Sequence, residues 1–280
     1  MSVKRVGDIG ILTVVATAAI TLILDGWVGA FPVELFRFPL NILTMALWLV
    51  LLVYLYRNHK SSSLARALLS PEATYLSLFI LATIGIALGL ELRPSTTAWP
   101  VVVGLLFILS HTTLVIMRGW RDSRGIRWRF SITHIGLWLA LSAGFWGAPD
   151  REQLRMAITT EPTNEAYTMD GALRVLPYDV TLLESRIEHS PQGTPTHYEA
   201  TIALEGKTVS LSVNHPYNRT MAQKIYLVNF GTTTSGERYA VVEIVDEPWQ
   251  WITASGVVML LVGAVLLFAR GPRKRGVHQQ

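Results

Sequence analysis

The chain has no cysteine among its 280 residues. This absence excludes disulfide bonds, thiolate metal sites and the Cys-x-x-Cys-His motif through which haem is attached to c-type cytochromes. Any metal or haem that the chain binds must therefore take His, Met or carboxylate ligands. Charge is also scarce, because only 16% of the residues are charged, whereas 50% are hydrophobic and the mean hydropathy is +0.36. Such a composition predicts a membrane protein and not a soluble domain.

Six apolar segments are long enough, or nearly so, to cross a hydrocarbon layer of about 30 Å, which takes about 20 helical residues. The segments lie near residues 9–30, 38–56, 74–91, 99–117, 130–148 and 249–269. We therefore expect a membrane α-helical bundle of six transmembrane helices, with a mainly-β extracytoplasmic domain inserted between helices five and six. The predicted regions are an N-terminal two-helix membrane region at 1–73, further membrane helices at 74–148, the β-rich domain at 149–248, and the C-terminal helix with a basic tail at 249–280.

The basic residues explain the net charge of +4 and predict the topology. Most of the 24 Lys and Arg fall in alternate loops, with five Arg between Arg118 and Arg129, as expected for cytosolic loops of a membrane protein. This placement argues against nucleic acid as a partner. It puts both termini in the cytosol and residues 149–248 outside. An N-terminal signal peptide that is cleaved near Ala30 is an alternative, and it would leave the remaining topology unchanged.

The region between the last two apolar segments alternates apolar and polar residues in short runs bounded by turn formers, which predicts β-strands. The candidate strands are Leu173 to Ile187, Tyr198 to Leu204, Thr208 to Val213, Ile225 to Phe230 and Tyr239 to Val245. Hairpin turns are expected at Glu205-Gly206-Lys207 and at Thr232 to Gly236. No nucleophile motif accompanies the histidines of this region, so we interpret it as a β scaffold without catalytic residues.

Three ionisable residues lie within or near the apolar segments, where charge is costly and usually functional. Asp25 is near the outer end of its segment, where its carboxylate can reach the headgroups. His111 and His134 lie roughly 7–11 Å inside the cytosolic boundary at 1.5 Å per helical residue. The two histidines thus share a depth and are candidates for one site.

His134 belongs to the stretch FSITHIGLWLALSAGFWG, which as a helix has two distinct faces. One face carries His134, Trp138, Leu141 and Phe145, and it suits a flat, apolar group that accepts a nitrogen ligand, such as haem. The opposite face is a ridge of small residues, Gly136, Ala140 and Gly144, that favours close helix packing. A neutral histidine bonded to a neighbouring carbonyl is the alternative interpretation of His134, and hydrogen bonding to Ser110, Thr112 or Thr113 is that of His111.

The stretch SITHIGLWLALSAGFWGAPDREQLRM resembles the ResB/CcsB proteins of system II cytochrome c biogenesis, in their Bacteroidetes-type form. The resemblance extends over roughly 75–270, through STTAWPVVV, DGALRVLPYDVTLLE, VSLSVNHPYNRTMAQKIYLVNF and EPWQWITASGVVMLLVGAVLLF. The first two apolar segments are less diagnostic.

The resemblance implies a bacterial inner-membrane protein that moves haem b to the outer, periplasmic face and helps to attach it to apocytochrome c. In the family, the helix before the outer domain carries a haem histidine, which His134 matches as an axial iron ligand. The implied partner is a CcsA-like protein with a tryptophan-rich haem segment that this chain lacks. The chain would then be a subunit that is not catalytic alone. The predicted haem-contacting residues are His134, His111, Trp138 and Phe145, of which His111 matches no family position.

Two other functions remain open from the sequence. The chain could be a scaffold or assembly subunit of the same complex that never ligates haem. It could also be an unrelated membrane transporter or sensor with an extracytoplasmic β domain, although it shows no inverted repeat and no paired intramembrane charges. The arginines from Arg118 to Arg129 could bind haem propionates, or they could serve only to set the topology.

Overall fold

The computed structural model describes residues 17, 19–90, 97–123, 125–189, 195–234 and 236–270. The chain divides into a helical unit, Met1–Pro149 with Trp251–Gln280, and a β unit, Asp150–Gln250. The helices are α1 (residues 19–27), α2 (Leu40–Asn58), α3 (Ser63–Leu68), α4 (Pro71–Gly89), α5 (Trp99–Gly119), α6 (Trp128–Trp146) and α7 (Gln250–Arg270). A two-residue pair of strands, β1 (Arg121–Asp122) and β2 (Gly125–Ile126), joins α5 to α6.

Serine side chains cap the N-termini of α3 and α4. The sequence pattern did not predict α3 as a separate helix. Ser62 accepts a hydrogen bond from the backbone N–H of Ala65 at the start of α3, and Ser70 accepts one from Ala73 at the start of α4. Pro71 follows at the first position of α4, where its missing N–H costs nothing. The sequence predicted a single loop after α2. The structure instead has the short helix α3 there, followed by the capped N-terminus of α4.

Among the described residues, four helices, α2, α4, α5 and α7, are long and apolar enough to cross a membrane by length and composition. They support the expectation of a membrane protein. Helix α6 is not among them, since Arg129, Ser131, Thr133 and His134 lower its hydropathy. Most of the first predicted span, 9–30, lies outside the described residues. The count of six transmembrane helices therefore stays a prediction, and so does the insertion of the β domain between the fifth and the sixth.

Helix α5 is the central helix of this unit. Half of its apolar window (50%) is buried, against 11% for each of the other three candidate spans. It packs against α2, α3, α4 and α6. Helices that are apolar on all sides but have little of their surface buried against the rest of the protein typically contact lipid. Helix α5, in contrast, has little surface left for lipid.

Helices α6 and α7 cross closely at glycines. A Cβ atom placed on Gly136 would lie 2.8 Å from the carbonyl oxygen of Gly256, and one placed on Gly256 would lie 2.6 Å from the backbone nitrogen of Ala140. The predicted small-residue ridge thus contacts a neighbouring helix at Gly136 and Ala140. Gly144, its third member, has no atom within 4 Å of the position that a Cβ would take.

The β unit contains an eight-stranded antiparallel sheet, in agreement with the mainly-β region that the sequence predicts. Its strands are β3 (Glu152–Ile158), β4 (Thr163–Thr168), β5 (Leu173–His189), β6 (Pro195–Leu204), β7 (Lys207–Ser212), β8 (Tyr217–Asn218), β9 (Gln223–Thr232) and β10 (Arg238–Asp246). The order is β7-β6-β5-β4-β3-β10-β9-β8. Strand β7 also contacts β8 and β9, so the sheet curls until its two edges meet around an apolar core.

Local sequence explains much of the sheet. Leu204 pairs with Lys207 across Glu205 and Gly206, which have φ values of 50° and 73°, and this two-residue turn with both φ positive favours the twist of a hairpin.

Every predicted strand lies largely within an observed one. Strands β3, β4 and the two-residue β8 were missed. Strand β4 is mostly polar, and only Ala166 of its six residues is buried.

Candidate functional site

Four consecutive polar residues of α5, Ser110 to Thr113, connect the helices around it. Ser110 accepts a hydrogen bond from Trp48 Nε1 on α2 at 3.2 Å. Thr113 accepts one from Trp138 Nε1 on α6 at 2.8 Å. The Thr113 hydroxyl also donates to the backbone carbonyl one turn earlier, so its own proton is satisfied. This polar turn therefore holds its neighbours through hydrogen bonds, which are a recurrent means of helix association in lipid.

His111, in the same turn, is buried and uses both ring nitrogens. Its Nδ1 lies 2.7 Å from the carbonyl oxygen of Leu68, the last residue of α3, and its Nε2 lies 3.2 Å from the Thr74 hydroxyl on α4. Because a carbonyl only accepts, Nδ1 carries the proton and Nε2 accepts from Thr74 in a neutral imidazole. His111 thus joins α5 to α3 and α4. If His111 binds haem through Nε2, this nitrogen must give up its hydrogen bond to the Thr74 hydroxyl.

His134 of α6 differs from His111 because one ring nitrogen stays open. Its Nδ1 lies 2.9 Å from the carbonyl oxygen of Phe130, one turn earlier, and therefore donates its proton there. The neutral ring then has a lone pair on Nε2. Across the described ranges, Nε2 makes no hydrogen bond. Histidines that bind metals usually donate the other ring N–H to a carbonyl or carboxylate in this way, which fixes tautomer and orientation.

The donor set fits haem better than a bare metal ion. Among the described residues, no group of three or more His, Cys, Asp or Glu side chains could hold a metal ion. A haem iron already has four porphyrin nitrogens and needs only axial ligands from the protein. One open imidazole nitrogen on a half-buried helix is therefore compatible with haem, with His134 as the axial ligand.

Part of the chain matches a known protein family. Residues 124–237 match the model of the ResB-like family. This segment is ResB-like. The resemblance inferred from the sequence is confirmed over that range, while the Bacteroidetes-type form stays a prediction. No curated protein matches the chain.

The ResB-like segment contains three of the four predicted haem-contacting residues. His134, Trp138 and Phe145 lie within it on α6, whereas His111 lies before it on α5. Trp138 is tied to Thr113, and the half-buried Phe145 ring packs edge-on against Trp146 at a centroid distance of 4.9 Å. The ring that contacts the His134 imidazole is that of Phe130, at a centroid distance of 3.9 Å. Phe130 stands four residues before His134, a helical spacing that could have identified it.

Three arginines at the end of α5, before α6 and at the start of α6 donate hydrogen bonds to carbonyls at the carboxyl ends of helices. Arg118 donates to the carbonyl of Leu69 after α3 at 2.9 Å, Arg127 to that of Gly119 in α5 at 3.2 Å, and Arg129 to that of Leu267 in α7 at 3.1 Å. The last carbonyls of a helix lack partners within the helix and carry partial negative charge. These contacts give the arginines a structural role that needs no propionate.

Asp25 also has a structural partner. Its Oδ1 accepts a hydrogen bond of 3.3 Å from the backbone N–H of Trp99, the first residue of α5. The position before Trp99 is Ala98, which has no capping side chain. Asp25 supplies the missing acceptor at the positive end of the helix, where a carboxylate is favourable.

The β unit holds a polar cluster around Arg219. Arg219 binds both carboxylate oxygens of Glu205, at 2.7 and 3.3 Å, and it stacks over the Tyr178 ring at 4.0 Å. Tyr178 donates to Gln223 at 2.9 Å, and Gln223 also accepts from Arg219. The Arg219 hydrogen bonds lower the pKa of Glu205, and burial raises the pKa of Tyr178. The cluster thus connects Arg219, in the loop between β8 and β9, to Tyr178 of β5 and to Glu205 in the turn between β6 and β7.

Proposed function

We propose that this protein is the ResB/CcsB-like subunit of a system II cytochrome c synthase. It handles haem b in the bacterial inner membrane and helps to present it on the periplasmic face to apocytochrome c, together with a CcsA-like partner. The observation that carries the proposal is the imidazole of His134. Its Nδ1–H is fixed on the Phe130 carbonyl and its Nε2 is open, within a segment that matches the ResB-like family.

In this function the residues of the chain bind and orient, and none performs bond chemistry alone. Haem, when bound, supplies the iron that accepts the Nε2 lone pair of His134. Trp138 and Phe145 would provide the apolar contacts on the same helix. The basic loops support a topology with both termini in the cytosol and the β unit, near residues 149–248, in the periplasm, where a partner and apocytochrome c would meet it.

The test compares haem bound to purified wild-type protein, alone and with the CcsA-like partner, with haem bound to His134→Ala. We expect the variant to lose most of the haem, or to shift the Soret band through loss of the axial nitrogen. His215→Ala is the matched control, because His215 is exposed in the β unit and far along the chain from α6. His134→Gly with added imidazole should recover the spectrum, which separates ligation from folding.

Two results would overturn parts of the proposal. Equal haem content and Soret position in wild type and His134→Ala would remove His134 as the ligand. A wild-type protein without haem, both alone and with the partner, but still needed for cytochrome c assembly would favour the non-haem-binding scaffold subunit.

A further inference from the structure

Phe130 contacts the His134 imidazole in two ways at once. Its carbonyl oxygen accepts the Nδ1 proton at 2.9 Å, and its ring stacks on the imidazole at a centroid distance of 3.9 Å and an interplanar angle of 25°. The hydrogen bond selects the tautomer of the histidine, and the stacked ring keeps the imidazole in the orientation that this hydrogen bond requires. One residue therefore controls which nitrogen is open and in which direction it points.

The Phe130 ring is itself held from two other sides. The guanidinium carbon of Arg127 lies 4.8 Å from the ring centroid, at a distance typical of cation–π contact. Gly119 lies against the ring so closely that a Cβ there would come within 2.7 Å of Phe130 Cε1. Arg127 also donates to the Gly119 carbonyl at 3.2 Å, which links the two supporting residues to each other.

We propose that Gly119, Arg127 and Phe130 are positioning residues for His134, and we name these three residues the imidazole support. They hold the histidine as an Nδ1-protonated ring with Nε2 presented for a metal-bearing ligand. The identity of that ligand as haem rests on the proposed function above. The support itself is independent of the ligand, because all of its contacts are made by the chain.

The support has a physical purpose. The chain offers one open imidazole nitrogen at this site, so binding strength depends on how much rotational freedom and tautomer mixing that ring must lose. An imidazole that is already held in the tautomer and orientation needed for binding loses little of this freedom when the ligand binds. Partners that orient a metal-bound histidine are typically worth about 10- to 100-fold in affinity.

Gly119→Ala is the sharpest variant, since it changes neither His134 nor Phe130. The new methyl group would displace the Phe130 ring and, through it, the imidazole. Gly144→Ala is the matched control, because nothing lies within 4 Å of its Cβ position. Phe130→Leu removes the ring but keeps the carbonyl, Phe130→Tyr keeps both, and Phe79→Leu controls for loss of an exposed Phe on α4.

Two readouts are measured on the full-length protein in detergent. The first is haem affinity by titration, for which we expect about tenfold or greater weakening in Gly119→Ala and Phe130→Leu, with Phe130→Tyr, Gly144→Ala and Phe79→Leu near wild type. The second uses haem-free protein with 15N-labelled histidine, whose imidazole resonances report the tautomer, and His134→Ala identifies the signal. We expect a dominant Nδ1–H form in the wild type and a mixture in Gly119→Ala and Phe130→Leu.

The two arms separate failure of the support from failure of haem binding. Wild-type tautomer and affinity in both Gly119→Ala and Phe130→Leu would overturn the support, even if His134 binds haem. A tautomer that shifts in these variants, in a protein that binds no haem through His134, would uphold the support and reject the haem function. If Gly119→Ala fails to fold, the comparison of Phe130→Leu with Phe130→Tyr decides the question alone.

Discussion

Trp138 donates its indole N–H to the Thr113 hydroxyl at 2.8 Å, and this hydrogen bond joins the helix of His134 to the central helix α5. The bond lies one turn after His134. It therefore fixes α6 beside α5 close to the candidate site, while the imidazole support acts on the other side of the histidine. The position of the His134 imidazole therefore depends on both contacts.

Thr113→Val should lower the stability of the helical unit, because the part-buried indole N–H of Trp138 loses its acceptor. We expect a loss of about 0.6–2 kcal/mol, the range typical of hydrogen bonds between membrane helices. Thr112→Val is a closely matched control, since Thr112 is equally buried and bonds only to the Ile108 carbonyl of its own helix. Unfolding in detergent, followed by tryptophan fluorescence, measures the difference. Equal effects of the two substitutions would contradict a special role for Thr113.

His111→Ala should destabilise the protein without changing the haem spectrum of the fraction that stays folded. The substitution leaves the Leu68 carbonyl and the Thr74 hydroxyl without their partner, so contacts between α5, α3 and α4 are lost. Thermal unfolding and the Soret spectrum are recorded on the same sample. A changed Soret position with unchanged thermal stability would instead support the original prediction that His111 contacts haem.

Gly136→Val should disrupt the crossing of α6 and α7, since its Cβ would lie 2.8 Å from both the Gly256 carbonyl oxygen and the Met259 Cβ. Overpacking of this kind costs about 1–3 kcal/mol. Gly144→Val, on the same helix but with open space around it, should cost only what helix propensity requires. The measurement is the midpoint of thermal unfolding in detergent. A cost at Gly144 as large as that at Gly136 would show that the crossing is not responsible.

The sequence predicted the features that rest on local periodicity and missed those that rest on distant contacts. Alternation and turn residues were sufficient for β5 to β7 and for the Glu205-Gly206 hairpin, because pleat and turn geometry are local. Strand β4 has only Ala166 buried, so its pattern carries no alternation to detect. The partners of His111 stand 37 and 43 residues away in sequence, and one of them is a backbone carbonyl. No side-chain pattern encodes such a partner, so the sequence could not predict these two hydrogen bonds of His111.

The pair Asp150 and Trp249 should hold together the two ends of the β unit. Trp249 Nε1 donates to Asp150 Oδ2 at 2.7 Å, and Arg151 forms an ion pair with Glu247 at 2.9 Å beside it. Trp249→Phe keeps the ring packing but removes the donor, and we expect a loss of about 1.5–3 kcal/mol, because the bond is made to a charged group. Asp150→Asn keeps an acceptor and should cost less. The order is read from urea unfolding of the full-length protein, and the reverse order would contradict a bond dominated by the indole donor.

The acid sensitivity of the β unit should depend on Glu205 and Asp246 with opposite signs. Hydrogen bonding to Arg219 lowers the pKa of Glu205 below its ordinary value of 4.5, so this group stabilises the fold above about pH 4.5 and the contribution is lost as pH falls through the lowered pKa. Burial raises the pKa of Asp246 above its ordinary value of 3.8, so its ionisation weakens the fold as pH rises through that window. Glu205→Gln should therefore reduce stability at neutral pH and flatten the decline in acid, whereas Asp246→Asn should raise or preserve stability at neutral pH. Unfolding of both full-length variants across pH gives, for each, the slope of the free energy of unfolding against pH. If the two substitutions change this slope in the same direction, Arg219 does not set the titration of Glu205.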